Sequence, residues 1–142
     1  MKPVRLLMLG LLLLLGAIPA LRAAEPARAA PQHRIVFQVN DEDSRKWHGV
    51  LANINNVQEE LGKVDIAVVV IGPALGMLKA DALTANKVVD AMSTGVRFVA
   101  CGNSMKAQHL EKDDMIDRID YANAGYVELM RLQQQGWTYL RP

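Results

Sequence analysis

The stretch VDIAVVVIG, Val64 to Gly72, is almost unbroken in apolar character. A strand with one wet face alternates apolar and polar residues, and this one does not. The pattern predicts a strand buried on both faces, which is the habit of a parallel sheet covered by helices above and below. Gly72 and Pro73 end the run.

Reading outward in both directions extends the same arrangement. Upstream, HRIVFQV (His33 to Val39) reads as a first strand, and the acidic turn NDED (Asn40 to Asp43) offers Asp41 or Asp43 as a helix cap. From Ser44 the spacing becomes helical, with Trp47, Leu51, Ile54, Gln58 and Leu61 recurring on one face and Val50 and Val57 widening it. Gly62 is placed to end that helix. Downstream, GPALGML (Gly72 to Leu78) is a Pro/Gly loop tending to a helical turn. Asp81 to Gly95 then predicts a helix with Leu83, Val88, Val89 and Met92 inward. VRFVACG is the third strand, and a short helix and a charged turn follow it. RIDYANA gives a brief fourth strand, and Gly125 to Gly136 a helix with Val127, Met130 and Leu132 or Arg131 at its seam. WTYLRP closes as a fifth strand. Strands alternating with helices imply right-handed crossovers and an α/β fold, a three-layer sandwich with a mainly parallel five-stranded sheet.

Ligands and reactive groups of such sheets collect at the carboxyl ends of the strands. Three segments meet that condition: NDED, GPALG with Gly72 and Gly76, and CGNSM. The last holds Cys101, the one cysteine of the chain. A thiol at a strand-to-helix junction feels the positive helix end and unpaired N–H groups, which favour thiolate. Gly102 leaves the sulfur unshielded, and Asn103 and Ser104 bring side chains able to donate hydrogen bonds to an anion. These features suit a thiolate nucleophile or a persulfide carrier. The alternative is a small buried apolar residue, the commoner role of a lone cysteine in a strand. His48 and His109 are the imidazoles within reach of that sheet edge, and both also read as surface residues. No P-loop register, nucleophile elbow, metal spacing or calcium-loop pattern is present, so neither a metal nor an organic cofactor is expected. Asn53 and Asn56, on successive turns of the first helix, suggest hydrogen bonds to nearby loops or to another subunit.

The amino-terminal segment sets the expected compartment. Lys2 and Arg5 precede an apolar core from Leu6, Pro19 breaks it, and small residues follow. This is the layout of a signal peptide over residues 1–24, with cleavage falling somewhere between 23 and 30. The apolar run is shorter than the ~20 residues a membrane span needs, so no anchor is expected after cleavage. Residues 33–142 then form one domain of periplasmic location. Loss of Lys2, Arg5 and Arg22 takes the formal charge from +1 to −2, and no basic run remains, which argues against a nucleic-acid partner. A single cysteine permits no internal disulfide, so stability must come from packing.

With these residues in view, the chain resembles the DsrE/DsrF-like family from Arg34 to Pro142. The resemblance rests on FQV, on the pattern Trp47-x3-Leu51-x-Asn53-x2-Asn56, and on VVVIGPALGML, GVRFVACGNSM and LQQQGWTYLRP. It implies a flavodoxin-like sandwich and a homo-oligomer, a trimer or hexamer. It further implies sulfur carried as a persulfide on a cysteine at the position of Cys101, with a sulfur donor or acceptor protein as partner. The relays best understood in the family are cytoplasmic, whereas this chain carries an export-like leader. The function expected is a sulfurtransferase-like carrier at most. The competing expectation is a non-catalytic oligomeric domain that binds a small ligand or a protein, with Cys101 structural. The carboxyl-terminal helix, through Tyr126, Leu129 and Met130 beside Gln133 to Gln135, is the expected subunit contact.

Overall fold

The structure, a computed structural model, describes residues 32–142, so the expected leader lies outside the described residues. The strands are β1 (His33–Val39), β2 (Val64–Val70), β3 (Arg97–Cys101), β4 (Asp120–Ala122) and β5 (Thr138–Leu140). The helices are α1 (Ser44–Leu61), α2 (Ala85–Ser93), α3 (Gly102–Ala107) and α4 (Gly125–Gln134), with short 3-10 turns at Gly72–Leu78 and Lys112–Asp114. All neighbouring strands pair in parallel, in the order β4-β3-β2-β1-β5.

The apolar run works as its pattern requires. Ile66, Val68 and Val70 point into the core beneath α1 and α2, while Ala67, Val69 and Ile71 point into a smaller core beneath α4. From Ala67 to Val70 every residue is fully buried. The first core also takes Val50, Leu51 and Ile54 of α1, Val88 and Ala91 of α2, and Met105 of α3. The second takes Val36, Val99, Cys101, Leu129 and Leu132. One sheet face is thus covered by several helices, the other by α4.

Local signals explain the helix ends. Asp43 caps α1, its carboxylate accepting the Arg45 N–H at 2.9 Å. Gly62 ends α1 with φ +67, a left-handed conformation that glycine adopts without strain. The Trp47 indole donates to the Asp41 carbonyl at 2.6 Å and lies over Gly76, where an added Cβ would approach its ring to 2.8 Å. Gly76 is therefore a packing glycine for Trp47.

Three inward stripes differ from expectation. In α1, Leu61 is 39% exposed and lies beside Leu140 at the β5 rim of the sheet. The second helix begins at Ala85 rather than Asp81, because the Thr84 hydroxyl donates to the Met77 carbonyl at 3.1 Å and holds the preceding residues in turns. Its core residues are Val88 and Ala91, with Met92 partly buried against them, while Leu83 stands 92% exposed and Val89 is also exposed. In α4 the buried line is Gly125, Leu129 and Leu132, so Val127 and Met130 face outward. Leu129 belongs to the core, which corrects its assignment to a subunit contact. The phase of α4 is set by Gly125, which sits flush against the sheet.

Candidate functional site

The strand-end thiol lies where two helices begin. Cys101 is the last residue of β3 and the N-cap of α3. The first residue of α4, Gly125, donates its N–H to the Cys101 sulfur at 3.2 Å. That approach requires a glycine: a Cβ on Gly125 would lie 2.7 Å from Ile71 Cγ1 and 3.2 Å from Cys101 Cβ. Gly102 serves the same closeness, since its Cβ would meet the Ala122 carbonyl at 3.3 Å. The Asn103 N–H donates to the Asn123 carbonyl at 3.0 Å, tying α3 to the loop that leads into α4.

The sulfur is buried, with Cys101 only 4% exposed. Burial alone pushes a thiol up, because it penalises the charged form. Opposing it are the dipoles of Ser104, Gly125 and Asn103 around the sulfur, of which the Gly125 N–H makes the hydrogen bond. They outweigh the burial, and the thiol is held below the ordinary cysteine range. Every group in that set is neutral, so thiolate is favoured by oriented dipoles and not by a counter-charge.

Of the residues singled out in the sequence, Cys101, Gly102, Asn103, Ser104 and Gly72 come together. The Asn103 side chain is exposed, and its backbone N–H is engaged by the Asn123 carbonyl. Gly72, at φ +61, donates its N–H to Ser104 Oγ at 2.8 Å and accepts from Gln108 Nε2 at 2.8 Å. An open groove beside this cluster is lined by Glu42, Pro73, Asn103, Ser104, Ala107 and Gln108. Gly76 stands apart under Trp47. His48 lines a separate groove between α1 and α2, with Nδ1 3.4 Å from Lys87 Nζ, and His109 occupies the turn after α3 at φ 54. Neither imidazole is among the groups facing the sulfur. Asn53 and Asn56 are exposed and line a groove with Phe37, Leu61 and Leu140. Among the described residues, no group of three or more His, Cys, Asp or Glu side chains is placed to hold a metal ion. No described helix is long and apolar enough to cross a membrane.

Sequence reading missed Gly125 and Gln108. A glycine opening α4, where a capping Ser, Asp or Asn is the usual choice nearby, was the available sign of close approach to a strand end. Gln108 gave no sign, because its partner is the backbone of a residue 36 positions away.

A parallel α/β sandwich with one thiol at a strand end, flanked by two helix starts, defines the class. The chain belongs to the DsrE/DsrF-like family, whose family model matches residues 33–142. That family is in general sulfur-relay-like. Among solved structures the chain is similar to MTH1491, a protein of unknown function from Methanobacterium thermoautotrophicum. The two share 30% identity over 78% of this chain and 100% of that one, with a TM-score of 0.76. The ychN protein of E. coli shares the fold at 14% identity and a TM-score of 0.68, over 78% of this chain and 100% of that one. BT1422 of Bacteroides thetaiotaomicron shares it at 11% identity and 0.60, over 75% and 94% of the respective chains. No curated protein matches the chain.

Proposed function

We propose that the protein is an exported carrier of sulfane sulfur and that Cys101 is the carrying residue. The observation behind this reading is the Gly125 N–H donated to the one cysteine of a DsrE/DsrF-like chain, in surroundings that hold the thiol below its ordinary range despite burial. The Cys101 thiolate attacks the outer sulfur of a donor persulfide, R–S–SH. A new S–S bond forms on Cys101, the donor S–S bond breaks, and R–S⁻ leaves with the bonding pair. The outer sulfur keeps its proton, and no net oxidation occurs. Passing sulfur to an acceptor thiolate repeats the exchange in reverse.

Intact-mass measurement tests the proposal. After incubation with polysulfide, or with thiosulfate and a sulfurtransferase, the wild type is expected to gain the mass of one sulfur atom and Cys101→Ser to gain none. An unmodified wild type, or an equal adduct on Cys101→Ser, sinks it. The 4% exposure of Cys101 favours a second reading, in which the residue only fills the core beneath α4 and the protein binds without chemistry. A Cys101 that a maleimide reaches only after denaturation supports that second reading.

The carrier is further proposed to act as a trimer or hexamer joined through the outward face of α4. Tyr126 (62%), Met130 (49%) and Val127 (40%) are exposed there, a mixed surface of the kind subunit contacts use. Replacing Tyr126 and Met130 together with glutamate is expected to give monomers by light scattering with unchanged far-UV circular dichroism. A wild type already monomeric at micromolar concentration overturns the assembly.

A further inference from the structure

We propose that the groove between α4 and β4 seats the donor of sulfur to Cys101, and that this donor is the persulfide of a small peptidic thiol bearing both carboxylate and ammonium groups. Strand register carries the placement. Arg97, Val99 and Cys101 alternate along β3 and so face one side of the sheet, the side that α4 covers. Asp120 and Ala122 of β4 stand opposite Val99 and Cys101. Paired strands lie about 4.8 Å apart, so Ala122 is the lateral neighbour of the thiol residue. Ala122 also packs against the core cluster that holds Cys101. The groove runs over these residues: Arg97 and Val99 line its β3 side, Ala122 to Ala124 close the end beside the thiol, and Glu128 and Arg131 rise from α4. Ala122 and Gly125, which flank Cys101 on this side, carry no more than a methyl group.

The chemistry of the lining names the ligand class. At about 540 Å³ the groove is of small-molecule size. Its charges come in both signs, Arg97 and Arg131 against Asp120 and Glu128. The Arg97 guanidinium is 40% exposed and reaches Asp120 at 3.4 Å and Glu128 at 3.3 Å. Tight charge-assisted bonds run to about 2.7–2.9 Å, so this fork is loosely held and open to a further acceptor. Among the described residues Arg131 makes no ion pair, and it is exposed one turn beyond Glu128 on α4. A ligand carboxylate meets Arg131 and the Arg97 fork, and a ligand ammonium meets the two carboxylates. A simple inorganic anion would use half of that set. Arg97 and Cys101 are four positions apart on β3, about 13 Å along the strand. A peptide of three or four residues covers such a span.

The donor assignment rests on the carrier reading, but binding is measured without sulfur transfer. The probe is S-methylglutathione, which has the charges of such a donor and no reactive sulfur. Added to isotope-labelled protein and followed by NMR, it is expected to shift the backbone amides of Ala122, Asn123, Ala124, Glu128 and Arg131 in a saturable way. Arg131→Gln, at an exposed position, is expected to bind it about tenfold more weakly, the scale of one hydrogen bond to a charged group. Acetylating the amino group of the probe is expected to weaken binding by a similar factor. The absence of saturable shifts at millimolar probe overturns the proposal, as do shifts centred on Ser104 and Gln108 in the other groove. Unchanged binding by Arg131→Gln, or equal binding of the acetylated probe, overturns the ligand class. Probe binding in a protein that gains no sulfur from glutathione persulfide or from polysulfide removes the carrier reading and leaves the groove as a peptide site; loading from polysulfide with no probe binding does the reverse.

Discussion

Val69→Asp is expected to yield no cooperatively folded protein. Val69 is fully buried in the middle of β2, paired with Gln38 of β1 and Val99 of β3. Its side chain points into the core of Val36, Ala67, Ile71, Leu129 and Leu132, which offers no partner to a carboxylate. An unpaired charge there costs several kcal/mol even after neutralisation by protonation, and the lost packing adds to it. Domains of this size hold about 5–15 kcal/mol in total, so the change consumes most or all of the margin. Thermal unfolding followed by circular dichroism is the measurement. Leu83→Asp, at an exposed position in the turn before α2, is the control expected to melt near the wild type. A soluble Val69→Asp protein with a sharp transition would contradict the two-sided burial of β2.

Gly125→Ala sets two effects of opposite sign against each other. Within a helix, alanine is favoured over glycine by up to about 1 kcal/mol. Here the added methyl would lie 2.7 Å from Ile71 Cγ1 and 2.9 Å from its Cδ1, distances real contacts do not sustain. Overpacking of this kind costs about 1–3 kcal/mol, so the clash is expected to win and the melting temperature to fall by several degrees. Backing α4 away also lengthens the 3.2 Å contact from the Gly125 N–H to the sulfur. The thiol should then titrate higher than in the wild type. The sign matters for stability: the native thiol is held below its unfolded value, so ionisation of Cys101 adds stability above the unfolded value that fades as pH falls through the native one. Gly125→Ala should reduce that alkaline gain. A stabilised variant with an unaltered thiol titration would show that α4 is seated differently.

The sheet was legible because its signals are local and repeated. Val64 to Val70 could hardly be anything but a central strand, and Gly62 and Gly95 marked ends that their positive φ values bear out. The phase of α4 was not legible. Val127 and Met130 are as apolar as Leu129 and Leu132, and the residue that decides which pair turns inward is Gly125, through contacts with Ile71 and Cys101 far along the chain. Leu83 misled for a related reason: an apolar residue at helical spacing looks internal unless the Thr84 bond to Met77 is known. At the site, the sequence placed Cys101, Asn103 and Ser104 together because they are neighbours. Burial of the sulfur, and the bonds from α3 to Gly72, depend on how two strand ends meet and leave no mark in composition or spacing.

The pairing of β5 with β1 has a consequence for how the protein is made. Gln38 and Tyr139, joined by a hydrogen bond of 2.7 Å, are 101 positions apart. During synthesis β1 emerges first and its last neighbour nearly at the close. Until then one flank of the oldest strand has no partner, and open strand flanks invite pairing with other chains. A contact so distant along the chain is also entropically late to form. The few residues of β5 thus act as the closing stitch of the fold, and until they dock, the flank of β1 stays open to other strands.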